Sequence, residues 1–250
     1  MAFRAVVLLL ALSPALASAG EDRLKVDLRW DVPVTLAAAG LSAGLSSPTF
    51  SAGGCALCLP NDLDVAAREH LRLGSGRDMR GARLWSDLTV KYALPGGALL
   101  VSGVAAWRDR RPRLLLEDAI VIAQAVAIAA DLNTLSKDFI GRTRPDGGPR
   151  SFYSSHTSQA FALATSIATV ATLRGRESAP WLWAGGLTLA TGVGYLRLAS
   201  DAHWLTDVAA GAAIGGAVGF AVPWFFHRRR GRGPRRVDVQ PAPGGFALVF

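Results

Sequence analysis

Residues 195–211 read YLRLASDAHWLTDVAAG, placing Arg197, Asp201, His203 and Asp207 in a stretch otherwise free of charge. Its flanks are rich in Gly, Ala and Leu and apolar enough to enter a low-dielectric layer. An ionisable group is costly there and marks a site rather than a scaffold. His203 and Asp207 are four residues apart, so on a helix they share one face. The stretch therefore predicts two membrane helices joined by a polar turn that carries chemistry.

The surrounding chain supports that reading. Half of the 250 residues are apolar, and segments near 88–107, 115–136, 157–173, 181–199 and 204–226 approach the ~20 residues that a spanning helix requires. The net charge is +8, but twelve of the 27 Lys and Arg fall in WRDRRPR (107–113), LRGR (173–176) and HRRRGRGPRR (227–236). Each cluster lies between or after apolar segments, so the basic charge encodes topology and no nucleic-acid partner is expected. The positive-inside rule puts these clusters in the cytoplasm and turns 137–156 and 196–206 outside. The predicted fold is an all-α integral membrane bundle of about five to six helices with its site at the outer face.

The first residues, MAFRAVVLLLALSPALASAG, have an early Arg4, an apolar core and Ala17-Ser18-Ala19, the layout of a secretory signal. Residues 1–19 are thus a signal peptide or an uncleaved first membrane helix, and residue 20 onward is expected on the outer side. VPVTLAAAGLSAGLS (32–46) is short and weakly apolar, which suggests an interfacial or partly inserted helix. NDLDVAAREHLRL (61–73) opens on capping residues and reads as an amphipathic helix on the outer surface. The expected organisation is an exported segment over 20–85, a membrane-embedded domain over 86–227 and a basic cytoplasmic tail over 228–250. The tail's last residues, VDVQPAPGGFALVF, are expected to be flexible. Cys55 and Cys58 in GGCALCLPN suit a local disulfide in an oxidising compartment; a pair of inert thiols and a redox or metal role stay open. Gly211, Gly215 and Gly219 form a small-residue stripe for close helix packing.

Two polar clusters far apart in sequence converge on the predicted outer face. KDFIGRTRP (137–145) and SFYSSHTSQAF (151–161) form one, and the opening stretch forms the other. Lys137, Arg144 and Arg197 can supply charge and planar donor forks to a tetrahedral dianion. Ser154 offers a hydroxyl, and backbone N–H groups near Ser155 and His156 would open the 157–173 helix toward an anion. An aspartate at 207 can fix the tautomer of His203 and free its other nitrogen as a nucleophile. His156 is then available as general acid.

These residues resemble the type 2 phosphatidic acid phosphatase superfamily, which also contains vanadium haloperoxidases. Its three motifs are K-x6-R-P, P-S-G-H and S-R-x5-H-x3-D. The first is complete in this chain. The second has Tyr153 for Pro and Ser155 for Gly, and the third has Leu196 for Ser. The resemblance covers roughly residues 115–226. It implies that His203 attacks phosphorus, Asp207 orients it and His156 protonates the leaving oxygen. Lys137, Arg144, Ser154, Ser155 and Arg197 would hold the phosphoryl oxygens, with no cofactor and no metal. The implied activity is a phosphatase acting on a phosphomonoester or pyrophosphate of a membrane lipid such as phosphatidate, phosphatidylglycerol phosphate or a polyprenyl diphosphate. The expected setting is a bacterial inner membrane with the site facing the periplasm. The competing readings are a vanadate-dependent haloperoxidase and a non-enzymatic protein that binds anionic headgroups. Oligomeric state is not legible.

Overall fold

The computed structural model describes residues 22–45, 59–229, 238–242 and 245–249. The signal-peptide expectation for 1–19 and the Cys55–Cys58 pair lie outside the described residues. Eight α-helices make up the described body: α1 Leu28–Leu45, α2 Asp62–Leu71, α3 Gly76–Leu88, α4 Leu94–Arg108, α5 Arg113–Ile140, α6 Ser155–Leu173, α7 Ala179–Ala199 and α8 Leu205–Ala221. The expected apolar segments fall in α3–α4, α5, α6, α7 and α8.

Two proline-linked irregularities extend these helices without breaking them. Thr89–Ala93 is one wide π turn between α3 and α4, and Pro95 lies just beyond it in the first turn of α4. A second wide turn, Val222–Phe226, follows α8 and contains Pro223. A proline removes one N–H from the helical ladder, and a wide turn is a common way to accommodate that loss. The continuous rods are Gly76–Arg108, of 33 residues, and Leu205–Phe226, of 22. Among the described residues these two helices are long and apolar enough by themselves to cross a membrane.

The bundle is inverted relative to a water-soluble domain. Its exterior carries Trp30, Leu99, Leu100, Trp107, Trp181 and Phe226, all exposed. Its centre is α6, whose buried face is mostly Ala, Ser and Thr. The hydroxyls inside bond back to their own helix: Thr165 donates to the Phe161 carbonyl at 2.8 Å and Thr172 to that of Ala168 at 2.8 Å. Small residues also let α8 approach α6 closely. A Cβ on Gly215 would lie 2.1 Å from the Ser158 carbonyl oxygen, and one on Gly219 would lie 2.2 Å from Thr165 Oγ1. The glycine stripe is therefore a packing surface within one bundle.

The two ends of the bundle differ. At the arginine-rich end, Arg174 binds Asp22 at 2.9 Å and Glu117 at 2.8 Å, and Arg176 binds Asp118 at 2.6 Å. Residues 22–25 belong to this end. Arg23 N–H donates to the Leu173 carbonyl at 2.7 Å, and Leu24 pairs with Arg228. Residues 59–73 sit at the opposite end, where Leu73 N–H donates to the Ala199 carbonyl at 3.0 Å.

The run 32–46, expected as an interfacial or partly inserted helix, falls within α1 up to Leu45. The chain passes from one end of the bundle to the other between residues 27 and 59, and α1, packed along α5, is the helix within that passage. The sequence window was too short because the helix begins at Leu28, which gives 18 residues and about 27 Å. Its Trp30, Val34, Leu36 and Leu41 are exposed, as outward-facing residues of a membrane helix would be. Residue 22 consequently lies at the arginine-rich end, on the side away from 59–73, and not on the side expected for residue 20.

The capping box of α2 forms as the sequence predicts, with Asn61 Oδ1 accepting from Asp64 N–H at 2.8 Å. The helix packs on α7 and α8 through a face that buries Asp64 completely, while most of its other residues are exposed. In the tail, Asp238–Ala242 pairs antiparallel with Gly245–Val249.

Gly215→Ala should lower the melting temperature strongly, because the clash is with backbone and costs about 1–3 kcal/mol or more. Gly40→Ala, at a position open on all sides, should be neutral in the same thermal melt. Equal melting of the two variants would contradict the packing described.

Candidate active site

The first motif closes α5. Lys137 lies in its last turn, and Gly141 ends the helix with φ 62°, its N–H donating to the Lys137 carbonyl at 3.3 Å. The left-handed conformation suits Gly, which carries no Cβ penalty. The loop then folds back on itself. Arg144 N–H donates to the Gly148 carbonyl at 2.8 Å, and Ser151 N–H to that of Arg142 at 2.7 Å. This turn delivers the second motif to the start of α6.

Ser154 is the N-cap of α6, and its Oγ accepts from Thr157 Oγ1 at 3.0 Å. Ser155 is the first residue of the helix and is not among the residues with positive φ. A serine where the family pattern has glycine thus carries no left-handed strain. Lys137 Nζ donates to Ser155 Oγ at 3.4 Å, which joins the first two motifs.

The third motif spans the α7–α8 turn. Arg197 is buried in the last turn of α7, with Nη1 donating to Ser86 Oγ at 3.2 Å. His203 is buried in the turn, and Asp207 is fully buried in the first turn of α8. The structure therefore brings the predicted third-motif residues together. His203 Nδ1 lies 3.8 Å from Asp207 Oδ2, an ion-pair distance and not a hydrogen bond. Catalytic hydrogen bonds are often long in unliganded sites.

Asp207 is held by other groups: Trp204 N–H at 3.0 Å, Arg142 Nη1 at 2.8 Å and the Ser151 hydroxyl. Arg142 is buried and bonds through its other nitrogen, Nη2, to Asp64 at 2.6 Å. Asp64 in turn accepts from the Thr206 backbone N–H at 2.9 Å. Sequence reading missed this set. Arg142 stands inside the quoted KDFIGRTRP, but nothing in a linear pattern shows that Asp64 will reach it.

Asp201, which matched no motif position, also has a partner. It is buried with φ 57°, and Arg68 of α2 grips it at 2.7 and 2.8 Å. Trp204 lies near both Arg68 and Arg142, whose guanidinium carbons are 5.7 and 5.8 Å from its ring.

A cleft of about 590 Å³ opens beside the site, lined by Asn133, Thr134, Lys137, Arg144, Arg150 and Ser155 among others. The Nε atoms of Arg144, Arg150 and Arg197 and the Nδ1 of His203 are buried without hydrogen-bond partners. Unsatisfied buried donors are costly, and a group of cationic ones is what an anion-binding site presents before its ligand arrives. Burial, reinforced by the positive charges of Arg197, Lys137 and Arg144, pushes His203 down to about 4, while Asp207 opposes the shift. The imidazole is therefore neutral at pH 7, the state a nucleophile requires.

A membrane-type helical bundle with buried cationic donors near His203 is the class that fold and site define. The sequence model of the PAP2 superfamily matches residues 118–231. A lipid A 1-phosphatase from Porphyromonas gingivalis is 34% identical over 114 residues, 45% of this chain and 24% of that protein. The chain thus spans about a quarter of the length of this curated relative. The crystal structure of a transmembrane PAP2-type phosphatidylglycerolphosphate phosphatase from Bacillus subtilis matches with a TM-score of 0.53 at 19% identity. That match covers 78% of this chain and 94% of the other, and it concerns the fold.

Because its folded value lies below the ~6.5 of a free histidine, His203 should stay neutral on acidification until about pH 4. The unfolded chain binds the extra proton between those values, so this residue makes stability fall with pH from about 6.5 downward. Side-chain NMR of labelled histidine reads the midpoint directly, and a His203 midpoint near 6.5 would contradict the burial described.

Proposed function

We propose that the protein is a phosphatase that hydrolyses a phosphomonoester or pyrophosphate on a membrane lipid through a phosphohistidine. Phosphatidate, phosphatidylglycerol phosphate and polyprenyl diphosphates are the substrate types that fit. The observation that carries the reading is the set of unpartnered cationic donors around a neutral, buried imidazole. A phosphate dianion would satisfy those donors, and no soluble-protein packing role explains them.

In this reading the Arg144 and Arg197 guanidiniums, Lys137 and the N–H groups opening α6 neutralise the phosphoryl oxygens. Ser154 and Ser155 complete the cradle. His203 attacks phosphorus as the bond to the leaving oxygen breaks, and His156 gives that oxygen its proton. A water, deprotonated by His156, then cleaves the N–P bond and releases phosphate. Asp207 stabilises the charge that develops on His203.

The lipid preference is supported by where the cleft lies. Its lining includes Ala130 and Thr134 of α5 and Gln159 of α6, so it opens sideways between two helices of the bundle. A headgroup could enter from that side while its chains stay in the bilayer. The relative named as a lipid A 1-phosphatase supports a lipid phosphate in general and does not select one here.

We further propose that the site faces the periplasm across the inner membrane. The positive-inside rule assigns the arginine-rich end to the cytoplasm. With residues 22–25 at that same end, an exported residue 20 and an outward site are incompatible, and the charge rule is the stronger guide.

Purified protein in detergent should release phosphate from a panel of lipid phosphates without added divalent metal. His203→Ala should abolish turnover and any acid-labile phosphoenzyme, whereas His156→Ala should retain phosphoenzyme formation with a good leaving group. Near-normal release by His203→Ala would overturn the assignment. For orientation, single cysteines placed in a Cys55→Ser/Cys58→Ser background should label from opposite sides: Asp22→Cys and Arg110→Cys from the cytoplasm, Asp62→Cys from the periplasm. Labelling of Asp22→Cys and Asp62→Cys from one side would refute it.

A further inference from the structure

The rod α3–α4 contributes a carboxylate that no motif of the superfamily segment contains. Asp87 stands in the last turn of α3, upstream of residues 118–231. Its Oδ1 lies 2.7 Å from His156 Nε2 and 3.6 Å from Arg197 Nη1. One oxygen thus meets both the group assigned to the leaving oxygen and a guanidinium assigned to the phosphate. Ser86, the preceding residue, accepts from the same Arg197 nitrogen at 3.2 Å, so this turn of α3 braces Arg197 at two points. On its other side, Asp87 Oδ2 is 3.6 Å from Lys91 Nζ. The wide turn Thr89–Ala93 begins two residues later. Wide turns of this kind are often found at functional sites.

We propose that Asp87 is a positioning residue for the reaction, holding His156 through Nε2 and bracing Arg197 so that proton donor and phosphate-binding cation share one fixed geometry. The inference rests on the phosphatase reading above. A carboxylate on one imidazole nitrogen fixes the ring, leaving the other nitrogen to exchange protons. The Nε2 proton stays on His156 throughout, bonded to Asp87. The proton that reaches the leaving oxygen comes from Nδ1 as the bond from that oxygen to phosphorus breaks and the His203–phosphorus bond forms. Nδ1, now a lone pair, accepts the proton of the water that later cleaves the phosphohistidine. Each histidine of the site would then have its own carboxylate: Asp207 for the nucleophile and Asp87 for the acid.

Asp87→Asn keeps the shape and removes the charge at a position that is 38% exposed, so the fold should persist. A positioned general acid contributes about 10²–10⁴-fold to rate, and its loss is felt most with a poor leaving group. The variant should therefore lose about 10- to 100-fold in kcat on dioctanoyl phosphatidate, whose leaving group is an alkoxide. On p-nitrophenyl phosphate, whose leaving group needs little protonation, the loss should be under about 3-fold. Asp87→Glu should recover part of the phosphatidate activity. An equal loss on both substrates would reduce Asp87 to a structural residue, and no loss on either would remove it from the reaction; both outcomes overturn the proposal.

A second readout does not depend on turnover. The wild type should show a downfield His156 ring N–H proton resonance that disappears in Asp87→Asn and in His156→Gln. If the wild type hydrolyses neither substrate, the phosphatase reading fails while this resonance still tests the pairing. Its absence from the wild type, or its persistence in Asp87→Asn, would overturn the pairing itself.

Discussion

The buried guanidinium of Arg142 is the contact on which the rest of the site depends. It is clamped between Asp64 at 2.6 Å and Asp207 at 2.8 Å, and all three side chains are almost fully removed from solvent. Removing one partner from such a pair leaves an uncompensated buried charge, at a general cost of about 3–5 kcal/mol. The clamp fixes three elements at once: the loop after α5 through Arg142, α8 through Asp207, and α2 through Asp64. Trp204, with its indole N–H on the Thr143 carbonyl at 2.9 Å, packs near the guanidinium. The aspartate beside His203 is thus set by a network that starts upstream of residues 118–231.

The bundle around this network supplies the conditions it needs. Small residues let α8 lie against α6 with almost no gap, which brings the Ser154 turn and the His203 turn side by side; Ser154 N–H donates to the Asp207 carbonyl at 3.1 Å. Burial in this packed end lowers the proton affinity of His203 and keeps its imidazole neutral.

Much of this was legible in the chain because its signals are local. The five apolar segments fall in helices, and the motif residues His203 and Asp207 flank the start of α8, the first in the preceding turn and the second in the first turn of the helix. Ser154 N–H on the Asp207 carbonyl, at 3.1 Å, joins the two polar turns as their expected convergence required. What was not legible depended on distant partners. The 32–46 run is weakly apolar by itself, and the position of α1 follows from the contact of Leu24 with Arg228 at one end and the docked α2 at the other. Asp201 matches no motif position, and its partner Arg68 lies 133 residues earlier.

The sequence by itself determined the helical, membrane-type character of the chain and the spacing of its polar motifs. Both are written in hydropathy and short-range spacing, which a helix translates directly into position. Only the tertiary structure decided which carboxylates serve the site. Asp64, Asp87 and Asp201 are equivalent in a linear reading, yet each is drawn to a different cation or imidazole. A charge far away in sequence can be paired only after the fold has brought the two groups within a few ångströms and removed the water between them.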